Sequence, residues 1–146
     1  MQPLVLASSS PYRRELLNRL RLPFIWSAPA IDESQRPNES PESLVRRLAE
    51  EKARALAEQH PSNLIIGSDQ VAVLGDQILG KPHTMSRAQA QLEAASGASV
   101  TFLTGLCLLN SASNHQQTDC VAFTVHFRQL DTERIRRYLE AEQPFD

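Results

Sequence analysis

The sequence predicts an α/β fold. Short apolar runs of strand length alternate along the chain with segments of helical periodicity, and two helices begin with the same Ser-Pro device. With 146 residues, 41% of them hydrophobic, the chain is expected to form one domain that buries roughly two-thirds of its unfolded surface.

Leu4-Val5-Leu6-Ala7 reads as the first strand and runs directly into Ser8-Ser9-Ser10-Pro11-Tyr12-Arg13-Arg14. Ser10 suits the cap and Pro11 the first turn of a helix, so free backbone N–H groups and the positive end of the dipole would face one spot beyond the strand. Arg13 adds a permanently charged fork, a combination that suits phosphate oxygens. Phe24-Ile25-Trp26 reads as a second strand, followed by a Pro-rich polar segment, 27–39, that carries Asp32 and Glu33 and is long enough to be functional.

Ser40-Pro41-Glu42 starts the next helix, whose expected buried stripe is Leu44, Val45, Leu48, Ala55 and Leu56. Lys52 falls on that stripe, four residues after Leu48 and four before Leu56, so its ammonium must reach the edge or meet an anion; the anion is favoured.

Leu64 to Leu74 comprises two apolar runs around Gly67-Ser68-Asp69-Gln70 and reads as a strand buried on both sides, with a turn at 67–69 as the alternative. A carboxylate such as Asp69 within a buried strand needs a cation, a metal or strong donors, an arrangement common at active sites. Gly75-Asp76 forms a hairpin turn into Gln77-Ile78-Leu79, and Gly80-Lys81-Pro82 ends the return strand with another isolated cation. A helix is expected over 86–95 with Gly97 as its stop, then strands at 100–103, 106–109 and 121–127, and a last helix capped by Asp131 that contains Ile135, Tyr138 and Leu139.

The net charge of −2 and the lack of a basic run argue against a nucleic-acid or membrane-surface binder, and no apolar stretch is long enough to span a bilayer. Cys107 and Cys120, without a CxxC partner, are expected to be reduced core thiols, which points to the cytoplasm. His60, His83, His115 and His126 show no paired metal-ligand spacing.

Ser8, Arg13, Glu33, Lys52, Asp69 and Lys81 stand apart from the surface polar residues, and their three cations and two acids suit a nucleoside triphosphate with its divalent ion. The succession Ser-Ser-Ser-Pro-x-Arg-Arg, Asp32-Glu33, Glu51-Lys52, Gly67-Ser68-Asp69-Gln70 and Gly80-Lys81-Pro82 resembles the Maf family of nucleotide pyrophosphatases over essentially the whole chain. Tyr12, Gln70 and the wording of 64–71 are most similar to its YceF branch, bacterial enzymes that hydrolyse 7-methyl-GTP to 7-methyl-GMP and diphosphate.

The resemblance implies an elongated mixed β-sheet with flanking helices and a nucleotide cleft, and a divalent metal, Mg or Mn. It makes Asp69 the proton acceptor. In this reading Glu33 and Asp69 hold the metal, Ser8, Arg13, Lys52 and Lys81 bind the phosphates, and Tyr12 and Gln70 select the base. A homodimer is among the assemblies it allows. A dTTP/UTP pyrophosphatase of the same family and a non-catalytic nucleotide-binding regulator are the alternatives; Asp69 and Glu33 favour an enzyme, since a binder needs only the cations and the helix terminus. The resemblance further implies a segment similar to Cys-Ala-Gly-Ser-Phe-Lys-x-Glu-Gly beyond the position of Asp146, so residues 1–146 are expected to be a single family domain lacking that C-terminal segment.

Overall fold

The computed structural model describes residues 4–79, 84–129 and 131–142. Among these residues the predicted α/β class is observed, as a mixed six-stranded sheet with four helices. The elements are β1 (Leu4–Ala7), α1 (Pro11–Asn18), β2 (Phe24–Ser27), α2 (Pro41–Ala55), β3 (Leu64–Leu74), β4 (Gln77–Leu79), α3 (Met85–Ala95), β5 (Ser99–Asn110), β6 (His115–His126) and α4 (Thr132–Glu142). The strand order is β2-β1-β3-β5-β6, with β4 also paired to β3. The chain divides into two compact units, Met1–Gln70 with Thr104–Val121, and Val71–Leu103 with Ala122–Asp146.

In the first unit β1 pairs in parallel with both β2 and β3, in the registers Leu6↔Trp26 and Leu6↔Ile66. The chain therefore goes from β1 to one neighbour through α1, and back across to the other through α2. Right-handed connections put these helices on opposite faces of the sheet. The packing agrees. Val5, Ala7, Ile65, Cys107 and Leu109 pack with Ala49 and Ala53 of α2 and with Leu56 at its C-cap, while Arg14 of α1 lies 4.0 Å over the ring of Trp26, which shares a face with Leu6.

The α2 stripe runs through Leu44, Val45, Leu48, Ala49, Lys52 and Ala53 to Leu56. Ala55, expected on it, is exposed instead, because a stripe anchored at Leu48 and Leu56 turns through Ala49 and Ala53. Small side chains at these two positions have a reason. A Cβ on Gly67 would lie 2.0 Å from the Ala49 carbonyl oxygen, and one on Gly105 2.2 Å from that of Val45, so α2 touches both β3 and β5 at backbone distance.

Gly105 also joins two predicted strands into one. The strands expected at 100–103 and 106–109 are one continuous strand, β5, because the glycine marks an approach of α2 rather than a break. Likewise β6 starts at His115, well before residue 121. Its polar first half is held by side-chain bonds to α2, Gln116 to Arg54 at 2.9 Å and Thr118 to Glu50 at 2.8 Å, which leave no apolar alternation to read. Of the two thiols, both free, Cys107 is buried but Cys120, near the middle of β6, is only half-buried. The 67–69 segment lies within the single strand β3, which excludes the turn.

In the second unit Gly75, at φ +60°, makes the predicted β3–β4 hairpin turn. α3 begins one residue before the expected start, with Thr84 accepting from the Arg87 amide, and Gly97 at φ +69° follows its end. Asp131 caps α4 by accepting from the Arg134 amide at 2.8 Å, and Ile135 and Leu139 pack on Ala88 and Leu92 of α3 while Tyr138 is exposed.

Candidate functional site

The strand order β2-β1-β3 makes the C-terminal end of β1 a point where successive connections leave in opposite directions, the place where open α/β sheets receive ligands. What lies there follows from local sequence. β1 ends at Ala7, and Ser8, buried, accepts from the Ser10 amide at 3.0 Å. Ser10 in turn accepts from the Arg13 amide at 3.3 Å, so the predicted cap of α1 is formed. The Arg13 guanidinium makes no hydrogen bond or ion pair among the described residues.

β3 runs past the end of its pairing with β1 and carries Asp69. Strand alternation puts Asp69 on the face of Ile65 and Gly67, beneath α2, and there it meets Lys52. The Lys52 Nζ donates to Asp69 Oδ1 at 3.0 Å and to the Ser68 carbonyl at 3.4 Å, and lies 2.8 Å from Glu33 Oε1. The predicted anion for Lys52 is thus a pair of carboxylates, one from the sheet and one from the 27–39 loop. Lys52 and Asp69 are buried, with 8% of each exposed, whereas the Glu33 side chain is 60% exposed and approaches from the solvent side. One ammonium between two carboxylates leaves the cluster with a net charge of −1, so a polyphosphate can enter only with additional positive charge.

The structure thus brings Glu33, Lys52 and Asp69 into contact and puts Ser8 and Arg13 at the same end of the β1–β3 pair. Gln70, adjacent to Asp69, points to the opposite face, where its Nε2 donates to Thr104 Oγ1 of β5 at 3.0 Å. That is the face opposite α2; Tyr12, on α1, is 69% exposed. Lys81 lies outside the described residues.

A sequence profile of the Maf-like protein family matches residues 3–146. The chain belongs to the Maf-like family. It is 70% identical over 146 residues to the 7-methyl-GTP pyrophosphatase of Pseudomonas fluorescens (strain Pf0-1), a match that covers all of this chain and 76% of that relative. It is 68% identical over the same length to the protein of that name from Pseudomonas aeruginosa PAO1, again covering 76% of the relative. A third protein of that name, from Alcanivorax borkumensis SK2, is 59% identical over 143 residues, covering 98% of this chain and 73% of the relative.

Three features of this Maf-like chain escaped the sequence reading. Gly67 and Gly105 bring α2 close enough for Lys52 to reach Asp69; a glycine inside an apolar strand was the available signal. The Ser68 carbonyl, a third oxygen on Lys52, carries no side-chain signal at all. The third is Arg47, on the α2 turn before Lys52, whose Nη2 donates to the Ser34 carbonyl of the 27–39 loop.

Proposed function

We propose that this chain hydrolyses 7-methyl-GTP to 7-methyl-GMP and diphosphate. The observation that carries the reading is the buried Lys52 ammonium shared by Glu33 and Asp69 at the switch point of the sheet; the names of the relatives supply the substrate.

In this reading Asp69, held by Lys52 on one oxygen, accepts a proton from water, whose oxygen attacks the α-phosphorus while the bond to the bridging oxygen of the diphosphate breaks. The amide groups at the start of α1, the Ser8 region, Arg13, Lys52 and Lys81 bind and orient the phosphates. Tyr12 and Gln70 read the base.

The resemblance also implies a divalent cation, and the donor set fits one. Glu33 Oε1 and Asp69 Oδ1 converge on the Lys52 Nζ, so the second oxygen of each carboxylate would hold the ion, and two carboxylates completed by substrate phosphates suit Mg²⁺ or Mn²⁺ better than a closed protein cage. Held by Glu33 and Asp69, such an ion would supply charge neutralisation at the phosphate oxygens and would offset the net negative charge around Lys52. No described helix is long and apolar enough to cross a membrane, and a nucleotide substrate fits a cytoplasmic enzyme.

The test is hydrolysis of 7-methyl-GTP, GTP, dTTP and UTP by this chain with Mg²⁺ or Mn²⁺, alongside Asp69→Asn. Preference for 7-methyl-GTP is expected, and the variant should lose at least about a hundredfold in turnover while still binding nucleotide. Near-normal turnover by folded Asp69→Asn removes the assignment, and preference for dTTP or UTP moves the chain to another specificity within the family.

A further inference from the structure

The segment between β2 and α2 has no helix or strand of its own except a turn at 37–38, yet it must keep Glu33 on Lys52. The Arg47 guanidinium provides most of the hold, beside a 3.4 Å contact of Arg36 Nη2 with Glu51 Oε1. Arg47 is largely buried, with 15% of its side chain exposed; its Nε donates to Glu39 Oε2 at 2.6 Å and its Nη2 to Glu39 Oε1 at 2.8 Å. The same Nη2 donates to the Ser34 carbonyl at 2.9 Å, and Nη1 donates to both oxygens of Glu51, one turn further along α2, at 3.0 and 3.2 Å.

Glu39 is tied to the loop from the other side. Its Oε1 accepts from the Arg36 amide at 3.0 Å, and its carbonyl accepts from Gln35 Nε2 at 2.7 Å. Asp32 accepts from the Ser34 amide at 2.9 Å, closing the turn around Glu33. Arg47 therefore grips the carbonyl of Ser34, the residue immediately after Glu33, from the same helix that presents Lys52 five residues later.

From this geometry we infer that Arg47 is a positioning residue for Glu33: it fixes the Ser34 carbonyl to α2 and thereby sets the Glu33 carboxylate beside Lys52. The arrangement needs arginine. A planar fork serves a carboxylate, a carbonyl and a second carboxylate at once in fixed directions, which a lysine ammonium at the end of a flexible stem does not reproduce. The effect of Arg47 on turnover rests on the hydrolytic reading above; the coupling to Glu33 does not.

The experiment compares Arg47→Met, Arg47→Lys, Glu33→Gln and the Arg47→Met/Glu33→Gln double variant. Amide exchange over 32–36 should quicken about tenfold or more in Arg47→Met while the amides of β1 and β3 keep their rates, which shows a local release in a folded protein. Acylation of Lys52 by an amine-reactive ester, read by mass spectrometry, should rise in Arg47→Met and in Glu33→Gln, with no further rise in the double variant.

In Mg²⁺-dependent turnover, Arg47→Met should raise the half-saturating metal concentration about tenfold with little change in the nucleotide KM, and Arg47→Lys should recover only part of it. Unchanged exchange over 32–36, or a Lys52 reactivity to which the two substitutions contribute independently, overturns the inference. Should the parent chain hydrolyse no nucleotide, the functional reading fails by itself, and exchange and acylation still decide the role of Arg47.

Discussion

Gly67 of β3 lies directly beneath Ala49 of α2, at a separation where a Cβ would stand 2.0 Å from the Ala49 carbonyl oxygen and 2.8 Å from the Ala53 amide nitrogen. This contact sets the height of α2 above the sheet, and the Lys52–Asp69 distance of 3.0 Å depends on that height. The obstructing atoms are backbone, so no rotamer change relieves them. Gly67→Ala is expected to cost roughly 1–3 kcal/mol or more, measured by urea unfolding, and to weaken the Lys52–Asp69 contact with it. A variant as stable as the parent would mean that α2 moves freely over β3.

Replacing Lys52 tests what burial does to a charge. On the helical pattern alone a Met at this position suits the core, and stability would hold or rise. The ion pairs reverse that sign. Lys52→Met leaves Asp69 buried without its cation, a loss on the order of 3 kcal/mol. Asp69→Asn in the same chain should recover part of it, because the two substitutions act on one interaction. Urea midpoints of the two single variants and the double variant check both statements.

Acid should act on the loop through Glu39. Its hydrogen bonds from the Arg47 side chain, then from the Arg36 amide, hold its carboxyl down at about 2, well below the ordinary 4.5. A carboxyl depressed in the folded state contributes stability that is complete above the ordinary value and is lost as pH falls toward the depressed one. The stability gap between the parent and Glu39→Gln should therefore be constant above pH 4.5 and close between there and about pH 2. A gap that persists unchanged at the acid end would show that the Glu39 charge is not what holds the loop.

Base selection should depend on Tyr12. N7-methylation leaves guanine with a delocalised positive charge, which an aromatic face attracts by roughly 0.5–2 kcal/mol. Tyr12→Leu should accordingly lower kcat/KM for 7-methyl-GTP about 2- to 30-fold more than for UTP. Equal losses on both nucleotides would show that Tyr12 does not sense the methylated base.

By itself, the sequence determined the elements whose signals are local. Ser10-Pro11 and Ser40-Pro41 start helices where expected, Gly75-Asp76 turns the hairpin, and Asp131 caps α4, because each depends on hydrogen bonds and backbone angles within a few residues. It also marked Lys52 and Asp69 as charges in apolar settings, since periodicity alone makes such residues conspicuous. Tertiary structure decided the rest. That these two meet each other and Glu33, and that Arg47 ties the Glu33 loop to the helix, depend on α2 crossing the sheet, while the pairing of β3 with β5 turns Gln70 away from Asp69 toward Thr104. Glycines at 67 and 105 permit that crossing, and a glycine in a strand looks the same in sequence whether it breaks the strand or admits a helix. The difference lies in what packs above it, which residues distant in the chain supply.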